Sequence, residues 1–513
     1  MCRHYPEGRS MSSNMHSKEL RRLALSVLQP GFTGTVAPPW ILRAIGEGLS
    51  SVVLFTRNIT GVEQVAQLAA QLRAENPELI IAIDEEAGDV TRLEAATGAT
   101  RPGNFALGAV DDTELTEAVA RDLGRQLHAA GVSLDYAPSV DVNSNPDNPI
   151  IGVRSFGVDA KVVSRHASSW VRGLQSAGVA ACAKHFPGHG DVAIDSHHGL
   201  PSYDATVEEI AAQALPPFRA ALDAGVRAIM SAHLLVPAYD PQVPATLSRR
   251  ILVDLLRGEL GFDGLIVTDA IEMGAVTGLY GIDGAAVRAV AAGADALCVG
   301  GENAGEDTAE LLVGALVAAA ASGRLPEERL AEAADRVGEF ARWSAGLRRS
   351  VPADPVSRDI GFVAARRALR VSGAGDGVLP LAGPAHVVEL VPSTNLAIGN
   401  ETPWGVGAPL RERLPGTTSV RIPRQELTGR PGVLEEQALA PAAGRQLVVV
   451  VRDAARHGWM AEALAALVAA RPDAVVVEMG LPGADVPGAV RLFTHGATAA
   501  SGVAAAEVLA GPR

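Results

Sequence analysis

The sequence predicts an α/β protein in which a TIM-type barrel is followed by a smaller α/β domain. Short runs rich in β-branched residues alternate with longer amphipathic helical patterns, which is typical of parallel βα units. Seven such runs precede residue 300, and polar residues directly follow several of them. The chain has 513 residues, more than a single hydrophobic core usually supports, so at least two domains are expected.

The strands of the first domain are predicted at seven buried apolar runs. These runs are Ser51–Phe55, Leu79–Ile83, Val132–Tyr136, Val179–Ala183, Ala228–Ser231, Leu265–Thr268 and Ala294–Val299. Helices are predicted between them, among others at Thr113–Ala130, Lys161–Ala177, Val207–Ala224 and Asp307–Ala321. This count favours a barrel over an open doubly wound sheet without excluding the latter. In a barrel, the polar residues after the strands would lie at the strand ends that form the active site.

The second domain has its own βα pattern. A helix from Pro326 to Trp343 ends the first domain, and a segment with two prolines follows it. Further strands are predicted at His386–Val391, Ser419–Ile422, Gln446–Arg452 and Ala474–Met479, with a helix at Met460–Ala470. We therefore divide the chain into an N-terminal extension (1–30), a barrel domain (31–345), a linker (346–356) and a C-terminal domain (357–513).

Composition restricts the classes of partner and the cellular compartment. The formal net charge of −14 disfavours nucleic acid and anionic membranes as partners. Three cysteines cannot form a disulfide framework. The first 22 residues are polar and charged, unlike a signal peptide, and no apolar run is long enough to span a membrane. We expect a cytoplasmic protein whose oligomeric state the sequence does not indicate.

A histidine-rich segment contains most of the candidate chemistry. It begins with KHFPGHGD at Lys184–Asp191 and continues to Asp195, His197 and His198. A polar loop without chemistry and a zinc site are the alternatives to an active site here. Proline and glycines within the motif oppose a helix that would bring its histidines to one face, so no metal site is expected.

An acid–base pair is a better interpretation of this segment. Asp195 and His197 are two residues apart. A carboxylate bound to one imidazole nitrogen fixes the tautomer and raises the basicity of the other nitrogen. Such a pair can protonate a leaving group and later deprotonate water.

Three further clusters follow predicted strands. Asp269 comes directly after Leu265–Thr268, where its carboxylate would serve as a nucleophile, stabilise charge or cap the next helix. The other two clusters are Asp84–Arg92 and Pro149–Gly157. The arginines Arg92 and Arg154 would bind sugar hydroxyls or carboxylates, or form structural ion pairs.

These four motifs, in this order over residues 30–345, resemble glycoside hydrolase family 3, and within it the β-N-acetylglucosaminidase branch. The resemblance implies that His197 is the general acid/base, that Asp195 orients it and that Asp269 is the nucleophile. It also implies a set of residues that hold the terminal N-acetylglucosamine: Asp84, Arg92, Arg154, Lys184 and His185. The C-terminal region is similar to the α/β sandwich domain of many members, and no metal or organic cofactor is implied.

One motif departs from the family pattern. Members usually have Gly-Gly-Arg where this chain has Ala87-Gly88-Asp89. The change reverses a charge beside the site, which puts the fine substrate preference in question more than the activity.

The resulting expectation is a retaining β-N-acetylglucosaminidase that hydrolyses terminal β-linked N-acetylglucosamine in peptidoglycan fragments, including muropeptides, during cell-wall recycling. One alternative is a β-N-acetylglucosaminide phosphorylase, because a histidine acid/base would not repel incoming phosphate. Another is a catalytically silent sugar-binding protein. The presence of Asp195, His197 and Asp269 argues against the silent protein.

Overall fold

The computed structural model describes residues 8–194, 199–301, 305–352, 359–373, 378–393, 398–399, 402–483 and 486–511, with side chains from Met15 onward. Within them the chain forms two mainly parallel sheets, each with its own core. We call residues 8–350 the barrel domain and residues 359–511 the sheet domain.

The barrel domain is built on eight parallel strands in a curled sheet. The strands are β1 (Leu28–Pro30), β2 (Ser51–Leu54), β3 (Ile80–Ile83), β4 (Leu134–Asp135), β5 (Ala180–Phe186), β6 (Ala228–Ser231), β7 (Leu265–Thr268) and β8 (Leu297–Val299). Strands β2 to β7 pair in chain order, β8 pairs with β1, and a parallel bridge between Val267 and Ala296 joins β7 to β8. This arrangement confirms the TIM-type fold class.

Helices surround this sheet. They are α1 (Gly8–Ser26), α2 (Pro39–Glu47), α3 (Val62–Glu75), α4 (Asn104–Val110), α5 (Thr113–Ala129), α6 (Ala160–Ser176), α7 (Val207–Gln213), α8 (Leu215–Asp223), α9 (Gly274–Ala292), α10 (Glu306–Ala321) and α11 (Glu327–Ser350). A π-helical segment spans Arg250–Glu259, and short 3₁₀ turns lie at Thr56–Asn58, Gly152–Arg154 and Ala245–Leu247.

Side chains alternate between the two faces of the barrel strands. Val53 of β2 points into the interior cluster, whereas its neighbours Val52 and Leu54 pack outward against the helices. Phe340 of α11 packs against the same interior cluster. Because the strands are covered on both faces, their sequences are continuous apolar runs. Such runs made the strands predictable from the sequence.

Two elements of the barrel domain differ from the sequence prediction. The helix predicted over Val207–Ala224 is two helices, because Pro216 and Pro217 begin a new first turn after Ala214. The closing helix continues to Ser350, so the first part of the predicted linker is helical.

The sheet domain contains six strands in the order β11-β10-β12-β13-β14-β9. They are β9 (Arg370–Ser372), β10 (Ala385–Val391), β11 (Thr418–Pro423), β12 (Gln446–Val451), β13 (Val475–Glu478) and β14 (Val490–Phe493). Only β9 runs antiparallel to its neighbour. The helices are α12 (Asp359–Ala368), α13 (Gly407–Arg413), α14 (Arg424–Gly429), α15 (Gly458–Ala470) and α16 (Ala499–Ala510), with a π-helical turn at Leu434–Leu439 and a 3₁₀ turn at Ala454–Arg456.

Apolar clusters cover both faces of this second sheet. One contains Val449 and Leu464, and the other contains Val448 and Leu509. The layered arrangement agrees with the expected α/β sandwich. Across the described helices of both domains, none combines the length and apolarity that a membrane span needs.

Candidate active site

The candidate residues lie at the carboxyl ends of three barrel strands. Asp84 directly follows β3, Lys184 and His185 lie in the last half of β5, and Asp269 directly follows β7. Parallel strands of a curled sheet have their carboxyl ends on one side, so these residues lie on the same side of the barrel. The contacts below show which of them meet.

Lys184 forms the centre of a buried charge network. Its Nζ contacts the Asp84 carboxylate and lies 2.7 Å from Oε1 of Glu86. Only 2% of the lysine side chain is exposed. Burial alone would lower its pKa, but Asp84 and Glu86 outweigh that effect and raise it. Lys184 is therefore a permanently charged donor.

Arg154 binds the same Glu86 from the other side. Its Nε and Nη2 donate to the two carboxylate oxygens over 2.9 and 2.6 Å. Burial acts to raise the pKa of Glu86, yet Arg154 and Lys184 hold it well below its usual value. The side chain of Asn104 donates to the backbone carbonyl of Arg154 over 2.7 Å, which fixes the turn that carries the arginine. Glu86 thus holds both cations in one geometry.

Arg92 completes the group around Asp84. Its Nη2 lies 3.2 Å from Oδ2 of Asp84. Beneath it, Glu85 accepts hydrogen bonds from the backbone N–H groups of Arg92 and Leu93 over 2.7 and 2.9 Å. Burial raises the pKa of Glu85 to about 7. The loop after β3 therefore directs Asp84 and Glu86 toward the network. Glu85 stabilises the same loop through its hydrogen bonds to the backbone.

His185 is paired with Asp141, a residue that the sequence analysis did not select. Nδ1 of His185 lies 2.7 Å from Oδ2 of Asp141, and Oδ1 of Asp141 accepts from the backbone N–H of His189 over 2.7 Å. Burial opposes ionisation of Asp141, but His185 lowers its pKa below the usual value. A proton on Nδ1 leaves Nε2 as the second functional nitrogen of His185.

His189 packs beside this pair. Its ring centroid lies 5.8 Å from that of His185. Burial lowers the pKa of His189 to about 4, helped by the neighbouring His185 and opposed by Asp141 and Asp269. His189 is therefore neutral at physiological pH.

Asp269 is held at the end of β7 by its backbone. Its N–H donates to the carbonyl of Ser231 over 3.1 Å. The next residue is also fixed, because Nε2 of His233 donates to the backbone carbonyl of Ala270 over 3.0 Å. Helix α9 begins at Gly274 with Met273 as its N-cap residue, so Asp269 does not cap it. Asp269 is partly exposed at this position.

Asp195 and His197 lie outside the described residues. The proposed acid–base pair therefore remains a prediction from the sequence. In the described part of the chain, no three His, Cys, Asp or Glu side chains are grouped as metal ligands would be.

Asp89 hydrogen-bonds to the sheet domain. One carboxylate oxygen accepts from Nη2 of Arg452 over 2.5 Å, and the other accepts from the backbone N–H of Ala497 over 2.9 Å. Both partners belong to the sheet domain. The charge reversal noted in the sequence therefore faces the second domain.

Sequence reasoning missed Glu86 and Asp141 as functional residues. Glu86 stands within the quoted Asp84–Arg92 cluster, and Asp141 follows the predicted strand Val132–Tyr136 by five residues. A polar residue after a predicted strand was an available signal for both. Their partners, Arg154 and His185, are distant in sequence, so the pairing itself was not predictable from spacing.

Comparisons of the sequence with known proteins identify related chains. The family model "Glycosyl hydrolase family 3 N terminal domain" matches residues 45–340. Beta-hexosaminidase A of Pseudoalteromonas piscicida is 33% identical over 389 residues, which cover 70% of this chain and 65% of that relative's length. A beta-hexosaminidase of Chromobacterium violaceum is 36% identical over 348 residues, covering 66% of this chain and 92% of the relative.

A solved structure extends the similarity to both domains. The glycoside hydrolase family 3 beta-N-acetylglucosaminidase of Paenibacillus sp. str. FPU-7 superposes with a TM-score of 0.83 at 33% identity. The match covers 96% of each chain.

Proposed function

The chain belongs to glycosyl hydrolase family 3 and is a glycoside hydrolase, and we propose that it is a retaining β-N-acetylglucosaminidase. It would release terminal β-linked N-acetylglucosamine through a glycosyl-enzyme on Asp269. The observation that carries this proposal is the position of Asp269, at the end of β7 on the side of the barrel where the Lys184 network lies.

The described residues support the sugar-binding half of the mechanism. Asp84 offers carboxylate oxygens to sugar hydroxyls, and Lys184 and Arg92, which contact it, offer donors. Glu86 holds Arg154 in place and Asp141 holds His185. Arg154 and His185 are therefore oriented before the sugar binds. Such preorganisation lowers the entropy lost on binding and aligns the anomeric carbon with a nucleophile.

In the proposed first step, a carboxylate oxygen of Asp269 attacks the anomeric carbon as the glycosidic bond breaks. His197 donates a proton to the departing oxygen, and Asp195 stabilises the imidazolium before transfer. In the second step His197 removes a proton from water, which attacks the same carbon and releases Asp269. Two inversions give net retention of the β configuration.

The substrate is inferred from the relatives. One matched structure is named a beta-N-acetylglucosaminidase, and the curated relatives are named beta-hexosaminidases. Peptidoglycan fragments, including muropeptides, with a terminal β-linked N-acetylglucosamine are the natural substrates that we propose. Both described cysteines, Cys182 and Cys298, are free thiols in the barrel interior, which supports a reducing, cytoplasmic setting.

Product analysis on p-nitrophenyl N-acetyl-β-glucosaminide, in phosphate and in phosphate-free buffer, tests the activity. A hydrolase releases free N-acetylglucosamine in both buffers, with the β-anomer appearing first by NMR. Formation of N-acetylglucosamine 1-phosphate only when phosphate is present would identify a phosphorylase instead. Binding without turnover in either buffer would identify a silent sugar-binding protein. Turnover of p-nitrophenyl β-glucoside, which has a hydroxyl in place of the 2-acetamido group, is measured as the control for recognition of that group.

A further inference from the structure

The sheet domain contacts the loop that carries Asp84 and Glu86. Asp89 of this loop is buried and accepts from Arg452 over 2.5 Å and from the Ala497 backbone over 2.9 Å. Asp89 is three residues from Glu86 and five from Asp84. The interdomain contact and the charge network are therefore parts of one short loop.

This loop turns through a strained backbone. Ala87 has a φ of 58° and Gly88 a φ of 67°, and the N–H of Glu86 donates to the carbonyl of Val90 across the turn over 3.1 Å. A left-handed conformation is unfavourable for alanine, so the surroundings must hold it. A Cβ at Gly88 would lie 2.4 Å from Cα of Gly103, so the turn also packs tightly on the barrel.

The partner side of the contact is buried and held by further contacts. Arg452 follows β12 directly, is almost fully buried, and stacks with its guanidinium carbon 5.7 Å from the centre of the Trp404 ring. On the other chain segment, Thr494 donates through its hydroxyl to the carbonyl of Gly496 over 2.9 Å, which braces the peptide next to Ala497. Two donors held in this way are suited to fixing the position of a loop.

A second contact from the same domain reaches the other half of the network. Beside Gly152, Nη1 of Arg456 and Cδ1 of Leu481 lie 3.5 and 3.7 Å from the point that a Cβ would occupy. Gly152 begins the 3₁₀ turn that ends at Arg154. The sheet domain therefore touches both segments that supply the Arg154–Glu86 pair.

We propose that the sheet domain positions the sugar-binding network, with Arg452 as the positioning residue that holds the Ala87–Gly88 turn through Asp89. Arg452 acts through Asp89 and the turn on Asp84 and Glu86, which contact Lys184 and Arg154. This inference goes beyond the proposed activity by giving the second domain a role in it, and its kinetic arm rests on that activity.

The test compares Arg452→Ala with a matched interdomain variant, Arg367→Ala. Arg367 of α12 contacts Asp112 of the barrel domain over 2.8 Å, and both side chains are partly exposed, away from the turn. Steady-state hydrolysis of p-nitrophenyl N-acetyl-β-glucosaminide is measured well below the unfolding midpoint of each variant. We expect Arg452→Ala to raise KM about tenfold with a smaller change in kcat, and Arg367→Ala to stay within about twofold of wild type.

A conservative variant separates positioning from general destabilisation. Arg452→Lys keeps the charge opposite Asp89, so its KM should lie much closer to the wild-type value than that of Arg452→Ala, whereas a purely structural role predicts no such recovery. Should Arg452→Ala fail to fold, Asp89→Asn replaces it, because the amide keeps an acceptor oxygen but loses the charge. A wild-type KM in folded Arg452→Ala or Asp89→Asn would overturn the proposal.

Hydrogen exchange of the free protein tests the same idea without any substrate. Faster exchange in the 84–92 segment of Arg452→Ala or Asp89→Asn, with wild-type exchange there in Arg367→Ala, is the expected result. Equal exchange in all proteins would contradict positioning. If the wild-type protein does not cleave the aryl glycoside, the proposed activity fails, while this measurement still decides the role of Arg452.

Discussion

Nζ of Lys184 lies 2.7 Å from Oε1 of Glu86, and both side chains are buried at the carboxyl ends of the barrel strands. Arg154 binds the same carboxylate with two hydrogen bonds. One glutamate thus bridges two cations that would otherwise repel each other in a region shielded from water, and Asp84 supplies Lys184 with a second counter-charge. This arrangement makes Glu86 important both for stability and for the shape of the sugar site.

Replacing Glu86 should be strongly destabilising. Glu86→Gln leaves Lys184 and Arg154 buried with one fewer counter-charge, and breaking a buried pair typically costs about 3–5 kcal/mol. Urea unfolding at neutral pH measures the loss. The control is Arg43→Gln, which breaks an exposed pair with Glu306 and should cost about 0–1 kcal/mol. Equal losses in the two variants would contradict the role assigned to Glu86.

A second prediction concerns the pH dependence of stability. The pKa of His189 is lowered to about 4 in the folded chain, chiefly by burial, against 6.5 as its ordinary value. As the pH falls below 6.5, His189 is protonated in the unfolded chain while it is still neutral in the folded chain. This protonation favours the unfolded chain, so the contribution of neutral His189 to the unfolding free energy is complete only above pH 6.5. It is lost as the pH falls toward 4.

The measurement is the difference in unfolding free energy between wild type and His189→Gln, taken by urea titration at several pH values. This difference should shrink by roughly 3 kcal/mol between pH 7 and pH 4. Burial raises the pKa of Glu85 to about 7, so Glu85 changes the unfolding free energy with pH in the direction opposite to His189. Both proteins contain Glu85, so its effect cancels in the difference between them. A difference that is constant over this range would show that His189 does not titrate as expected.

Much of the fold was predictable because the strands are buried on both faces. Ala228–Ser231 and Leu265–Thr268 were predicted with the bounds that the structure has. Strands β1, β9 and β14 were missed. β1 is only three residues long and ends in proline, and β9 is an exposed edge strand with the sequence Arg-Val-Ser, so neither has a strong apolar signal.

The site was predictable where a polar residue directly follows an apolar run. Asp84 and Asp269 were found in this way, and the structure places both at the ends of their strands. The partners were not predictable, because Asp141 and His185 meet only when β4 and β5 align side by side. Likewise, the charge reversal at Asp89 was visible in the sequence, but its contact with Arg452, 363 residues further along the chain, was not predictable.

Loss of the proposed acid/base should depend on the leaving group. His197→Ala should slow cleavage of a substrate with a poor leaving group by about 10²–10⁴-fold, and affect the first step of an activated aryl glycoside much less. Azide needs no deprotonation, so it should restore turnover of the aryl glycoside and give a β-glycosyl azide. Asp195→Asn should lose activity in the same direction, because an amide supplies no charge to stabilise the imidazolium.

The neighbouring histidines provide the controls for this assignment. His189→Gln and His198→Ala should give no azide product, because neither residue is proposed to transfer the proton. Azide rescue in either of them, together with its absence in His197→Ala, would move the acid/base role to the rescued position.

Removal of the nucleophile should nearly abolish turnover. In Asp269→Ala no carboxylate is available to form the glycosyl-enzyme, so kcat on the aryl glycoside should fall by several orders of magnitude. Lys184 and Asp84 are untouched, so binding of N-acetylglucosamine should persist by calorimetry. Activity within about threefold of wild type, which corresponds to about 0.7 kcal/mol, would remove Asp269 from the mechanism.

Trapping the covalent intermediate tests the central claim most directly. In His197→Ala the hydrolysis of the glycosyl-enzyme should be slow. The glycosyl-enzyme that forms from an activated N-acetylglucosaminide should therefore accumulate in the absence of azide. Mass spectrometry of the digested protein should find one N-acetylglucosaminyl group on the peptide that contains Asp269, and azide should remove it. A label on any other residue, or turnover through an oxazoline product without a label, would contradict Asp269 as the nucleophile.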